Sequence, residues 1–339
     1  MQHTTFPLRQ RIPWFRGKMK RSFIIAGIVV VFLLLLRSCS AKPDESINIF
    51  TVNRNTVSSM TKEKLLQQKW MQGHWFFGLS MLVHGGYARI RPGAYRIADS
   101  MSSWTIAGVL TADPPLHWVI IPEGLRKEQV ADRLAAALGW DQMKRDAFLV
   151  VPIQRPYDLA DGFYFPDTYL IPTDETVTQV ANRFMNRFNE NFAPYVEGFR
   201  KANIKADTAL KIASIIQKEA GGQNDMPLIA GILWNRLLIK MPLEIDATLQ
   251  YARGDTGSGY WAPITPAAKA IDSPFNTYKF KGLPPSPISN PGLDAIDAVL
   301  HSTETQCLFY LHDHNRNIHC AETYAEHLNN IDTYLRNQG

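Results

Sequence analysis

Fifteen consecutive uncharged residues, "SFIIAGIVVVFLLLL" at 22–36, are too apolar to lie on the surface of a water-soluble domain. As a helix at about 1.5 Å per residue they cover about 22 Å, short of the ~30 Å hydrocarbon core of a bilayer. They make a minimal span, completed by snorkelling of Arg37 or by thinning of the bilayer. The basic stretch "RGKMKR" precedes them, which places residues 1–21 in the cytoplasm and the body of the chain outside the cytoplasmic membrane. A cleaved signal peptide and a lipoprotein site at Cys39 are the competing readings. Arg37 opposes both, standing where small residues should dominate a cleavage site.

The net charge of +5 says less than its location. Residues 1–40 hold seven cations and no acid, which leaves the rest of the 339-residue chain at −2. Such a body has no concentrated basic face and argues against nucleic acid as a partner.

Beyond the apolar run the pattern is α+β. Residues 42–155 mix short β-like runs ("INIFTV", "YARIRPGAYRI") with a helical stretch, "TKEKLLQQKWMQ", under frequent turn signals. Within them, 116–140 reads as a buried strand, a Pro-Glu-Gly turn and a helix whose Val130, Leu134 and Leu138 share one face. From residue 156 the chain turns mainly helical, with helices expected near 174–190, 194–202, 206–220 and 226–239. Long loops follow, "MPLEIDATLQYARGD" and "SPFNTYKFKGLPPSPISNPG", then a helix ("LDAIDAVLH"), a hairpin and a last helix.

One carboxylate stands out. In "ASIIQKEAGG", Ala209, Ile212, Ala213 and Ile216 form a helical stripe that Glu219 continues, with Lys211 and Lys218 off the stripe and free to stay in water. Gly221 and Gly222 supply the backbone freedom that ends the helix. Burial and the negative end of the helix dipole both raise a carboxyl pKa, and a carboxyl kept protonated near neutrality can serve as a general acid. The competing reading is a solvated residue at a helix edge.

Three cysteines are too few for a disulfide scaffold. Cys307 and Cys320 flank the polar turn "HDHNRN", and a register centred between Asp313 and His314 sets them opposite one another, where an oxidising compartment could join them. His312, His314, His319 and Cys320 gather in the same segment, but their spacing matches no standard zinc arrangement, and a polar hairpin tip accounts for them.

Six separated blocks then point one way: "VIIPEGLRKEQVADRLA", "GFYFPDTYLI", "ASIIQKEAG", "WNRLLIKMPLEIDATLQYA", "FNTYKFKGLPPSPISNPGLDAIDAVL" and "HCAETYAEHLNN". In this order they resemble the MltG (YceG-like) endolytic murein transglycosylase family, from about residue 90 to the end. The resemblance implies a membrane-anchored enzyme that faces the periplasm or outer surface and cuts peptidoglycan strands internally to leave 1,6-anhydro-N-acetylmuramic ends. It implies a LysM-like module at 116–140 and a catalytic domain at 156–339. It further implies Glu219 as the catalytic acid, no metal or other cofactor, and association with peptidoglycan synthases. Arg236 would hold a substrate carboxylate beside Asn235, an ordinary salt bridge being the alternative; Asn276, Ser286 and Asn290 would contact sugar hydroxyls or the acetamido group, structural turn roles being the alternative there. Asp246, also placed among the substrate contacts with loop capping as its alternative, lies where the family usually has Asp-Pro-Thr; Ala247 departs from that pattern and puts the local turn in doubt, and Ala321 replaces a common aromatic. Two rivals remain: a lysozyme-type muramidase using Glu219 with Asp246 or Asp225, and a non-catalytic peptidoglycan-binding scaffold.

Overall fold

The computed structural model describes residues 47–53, 58–71, 74–151 and 161–336. The expected anchor at 22–36, the basic residues 1–21 and Cys39 lie outside the described residues. The fold is α+β, and the chain divides into two units, 1–116 and 117–339.

In the first unit the alternation in "INIFTV" produces β1 (Ile47–Val52), which buries Phe50 and Val52 and pairs antiparallel with β2 (Gly93–Ala98), Ile47 facing Ala98 and Val52 facing Gly93. Three helices, α1 (Ser58–Leu66), α2 (Phe77–Val83) and α3 (Ser103–Thr111), complete it. Leu65, Phe77, Met81, Ile106 and Leu110 close a core on Tyr95 and Ile97. Ser102 caps α3 by accepting from the Thr105 amide at 3.2 Å.

The second unit begins within β3 (Leu116–Ile121), earlier than the boundary near 155 expected from sequence. The physical reason is a shared core. Val119 and Ile121 of β3, Val130, Ala131 and Leu134 of α4 (Lys127–Leu138) and Phe148 of α5 (Gln142–Val150) pack with the helices that follow. α4 ends at Gly139, whose φ of 66° is open to glycine at little cost. β4 (Asp167–Pro172) lies beside β3.

The helical region departs from expectation between 190 and 194, where a break between two helices was expected and where Pro194 follows. α6 (Val177–Lys201) runs unbroken through it. Proline forfeits one backbone hydrogen bond, but the buried Phe188, Phe192 and Phe199 stack along the same face at 5.1 and 5.8 Å and hold both halves on the core. α7 (Ala206–Glu219) and α8 (Met226–Leu238) follow as expected. α9 (Asp246–Arg253) is a correction: these residues read as loop, yet they form two turns of helix that bury Ala247, Thr248 and Leu249. Ala247 therefore sits in an intact helix start, where the departure from the family pattern raised doubt about the turn.

α10 (Leu293–Leu300), the hairpin of β5 (Phe309–His312) and β6 (Ile318–Ala321), and α11 (Tyr324–Ile331) close the chain. Cys307 and Cys320 form a disulfide, but not as directly opposed residues. Phe309 pairs with Ala321 and Tyr310 with Cys320, a register centred on Asn315, so the bridge runs diagonally from a residue preceding β5.

Candidate active site

The stripe that points Glu219 inward is realised: Ala209, Ile212, Ala213 and Ile216 are all buried. Each isoleucine contributes about 1.5–3 kcal/mol by leaving water, ample to fix the rotation of α7. The next block clamps this helix. Ser214 Oγ accepts from the Ile288 amide at 3.0 Å, Ser289 Oγ donates to the Ser214 carbonyl at 3.0 Å, and the Gly292 amide donates to Gln217 Oε1 at 2.9 Å. The helix ends at Ala220 in an extended conformation. Gly222 is likewise extended, so no left-handed glycine ends it. Gly221 instead makes room, because a Cβ there would stand 3.0 Å from both Asp225 Oδ2 and the His312 ring. Lys218 is also not in water: its Nζ stands 3.9 Å from the centre of the Trp261 ring, and burial lowers its pKa.

Glu219 opens on a cavity of ≈ 650 Å³ lined with Arg236, Glu244, Asp246, Lys269, Tyr278 and Tyr310, together with Phe309, Tyr324 and His327. The Tyr310 hydroxyl donates to Glu219 Oε2 at 2.9 Å. Burial is the largest influence on the carboxyl and raises its pKa; Asp246 raises it further, while the Tyr310 hydroxyl, the Ala247 backbone N–H and His312 favour the anion and pull it down. The result is a proton held more tightly than by an ordinary glutamate, with donors ready for the anion once it leaves.

A second carboxylate–tyrosine pair lines the same cavity. Tyr278 donates to Asp246 Oδ1 at 2.6 Å, and Lys269 Nζ lies 4.3 Å from the Tyr278 ring. Asp246 is exposed, and its other oxygen makes no hydrogen bond among the described residues. Glu244, at φ 52°, lines the cavity in a backbone conformation that costs a non-glycine residue about 1 kcal/mol or more; Thr277 holds this turn through the Glu244 and Ile245 amides.

Of the six substrate-contact expectations, Arg236 and Asp246 line this cavity and four side chains do not. Asn235 donates to the Thr305 and Cys307 carbonyls. Asn276 donates to the Lys269 and Ile271 carbonyls, Ser286 to the Pro287 carbonyl. Asn290 is fully buried, its Oδ1 accepting from the Gly162 and Tyr164 amides and its Nδ2 donating to the Leu125 carbonyl. These four satisfy the chain's own backbone, which is the structural alternative. Arg236 is divided: Nε donates to the Leu308 carbonyl at 2.6 Å and Nη1 to the Pro242 and Leu243 carbonyls, while Nη2 has no partner among the described residues.

Tyr310, Tyr278, Lys269, Phe309 and His327 were not expected. Tyr310 was within reach, since strand alternation puts it on one face with His312, and the two meet Glu219 and Asp225 on α7 and the turn after it. Asp225, the other carboxylate considered, is engaged by the Gly221 amide and His312. Among the described residues no group of three or more His, Cys, Asp or Glu side chains is placed to hold a metal ion. A separate apolar groove of ≈ 410 Å³ on α6 and α7 contains one carboxylate, Asp207, already paired with Lys211 at 2.6 Å.

Known proteins resemble this chain. The profile of the YceG-like family matches residues 50–333. An endolytic murein transglycosylase of Streptococcus pneumoniae is 28% identical over 291 residues, covering 72% of this chain and 52% of that protein. One of Bacillus subtilis is 32% identical over 176 residues, covering 52% of this chain and 48% of that protein. The chain thus spans about half the length of the curated relatives it matches. A solved structure of a yceG-like protein from Listeria monocytogenes shares the fold, with a TM-score of 0.57 and 24% identity over 84% of this chain and 99% of that one. With a family profile that runs through both of its units, the chain belongs to the YceG-like family.

Proposed function

We propose that the chain is an endolytic lytic transglycosylase that cuts the bond between N-acetylmuramic acid and N-acetylglucosamine within peptidoglycan strands. The observation that carries this reading is the Glu219 carboxyl, half-buried at the end of α7 in a roomy polar cavity with its proton held by burial and its anion supported by Tyr310. The names of its relatives support the same chemistry.

Glu219 donates its proton to the glycosidic oxygen as the bond to C1 breaks, and the 2-acetamido group stabilises the developing cationic centre. The carboxylate so formed takes the proton of the C6 hydroxyl, and O6 closes on C1 to give the 1,6-anhydro ring. No water is consumed and Glu219 ends protonated, ready for another cycle. Arg236 presents Nη2 to a lactyl or peptide carboxylate of the strand. The reading includes a single membrane span at 22–36, the body outside the cytoplasmic membrane, a LysM-like module at 116–140 and peptidoglycan synthases as partners.

The test is mass spectrometry of purified peptidoglycan incubated with the protein. Anhydro ends support the transglycosylase. Reducing ends would move the chemistry to hydrolysis with Asp246 as second carboxylate, and binding without cleavage would leave a scaffold.

Two substitutions should move the pH profile in opposite directions. The protonated acid is the active form at the first step, so the alkaline limb of kcat/KM follows the Glu219 pKa. Tyr310→Phe removes a donor that favours the anion, so the pKa rises and the limb moves to higher pH. Asp246→Asn removes a negative charge that disfavours the anion, so the pKa falls and the limb moves to lower pH. Profiles that shift together, or not at all, would remove Glu219 from the titrating role.

A further inference from the structure

The first unit exposes more apolar surface than its core requires. Phe77, Ser80 and Met81 of α2 turn inward. Leu79, Leu82 and Val83 occupy another face of the same short helix and, with Phe76 just before it, stand exposed, Leu82 at 72%. Trp75, 91% exposed, precedes them, and Trp104 of α3, also exposed, adjoins the other end, where its ring meets that of His84 at 4.5 Å. A surface helix ordinarily has one apolar stripe. A second, of leucine and valine flanked by Trp75, Phe76 and Trp104, has the composition of side chains that settle between hydrocarbon and water.

Two facts indicate what covers it. The apolar run ends at Leu36 and β1 begins at Ile47, and the ten intervening residues reach at most about 35–40 Å. The first unit is therefore held close to whatever the run enters. Charge agrees: residues 47–116 carry seven cations against three acids, whereas 117–339 carry 21 against 26. Positive charge confined to the stretch beside the apolar run suits anionic lipid headgroups.

We propose that the outer face of α2, with Trp75 and Trp104, beds into the headgroup layer of an anionic membrane. The inference rests on the reading of 22–36 as a retained span, and makes the first unit a second point of attachment.

The test uses the full chain with a protease site introduced into 41–46, reconstituted in vesicles of mixed phosphatidylglycerol and phosphatidylcholine. Before cleavage, resistance to alkaline extraction reports the span; a chain washed off by alkali overturns that reading and this one with it. After cleavage at low salt, the body should float with the vesicles, and Leu79→Ser with Leu82→Ser should lower the ratio of bound to free body about tenfold or more. Both side chains are exposed, so circular dichroism should show the fold unchanged. An alkali-resistant chain whose wild-type body leaves as completely as the variant overturns the inference alone, as does a variant body that stays bound equally well. A released body that is dimeric and protects 75–83 from hydrogen exchange would assign the face to a second copy instead.

Discussion

Glu219→Gln should lower the rate of strand cleavage by about 10²–10⁴-fold, the usual contribution of a positioned general acid and base. The amide keeps the shape of the carboxyl and can still meet the Tyr310 hydroxyl, so the loss belongs to the proton rather than to the cavity. Stability should hold or rise, because burial opposes a charge at this position and the neutral amide escapes that opposition. The measurement is the yield of anhydro ends per enzyme over time, with melting temperature and binding to intact peptidoglycan followed in parallel. A variant retaining a tenth or more of the rate would exclude Glu219 as the proton donor. A variant that loses strand binding along with cleavage would point to substrate contact instead.

Asn290→Ala should unfold the second unit more readily by about 3–5 kcal/mol without touching the chemistry. The side chain is fully buried and accepts from the Gly162 and Tyr164 amides while donating to the Leu125 carbonyl. Alanine strands these groups at roughly 1–3 kcal/mol each where water does not compensate. For a unit of this size the melting temperature should fall by about 10 °C or more. Below that transition kcat and KM should stay near the wild-type values. An unchanged melting temperature with a raised KM would return Asn290 to the substrate-contact role.

Those two residues show where sequence reading succeeds and where it stops. The inward turn of Glu219 was legible because helical periodicity is local, and four apolar neighbours within one element determine it. The hairpin and the juxtaposition of Cys307 and Cys320 were legible for a similar reason, though the bond itself was left open, the turn centre lay one to two residues off and the bridge proved diagonal. Asn290 was misplaced because an asparagine in a Pro- and Gly-rich loop looks the same whether it serves a ligand or distant amides. Its partners at 125, 162 and 164 are far away in the chain. α9 escaped notice because two turns give too few residues for a period to emerge. The join between β3, α4 and the helices escaped for another reason: it exists only as contacts across the core, as among Val119, Leu134 and Phe148. Tyr278 belongs with these, since it reaches the cavity from a separate loop, whereas strand alternation left Tyr310 within reach.

Within α8 lies Gly231, where an added Cβ would stand 2.1 Å from the Thr303 carbonyl oxygen. The segment that leads from Thr303 into β5 rests directly on this bare stretch of helix backbone, tied there by Asn235 and by the Thr303 amide on the Pro227 carbonyl. Tyr310 lies seven residues beyond Thr303 along that segment. The missing methyl therefore acts as a spacer of zero thickness. Any side chain at 231 would meet the Thr303 carbonyl and press on the segment that carries Tyr310, so the contact at the carboxylate depends on a position that does not itself line the cavity.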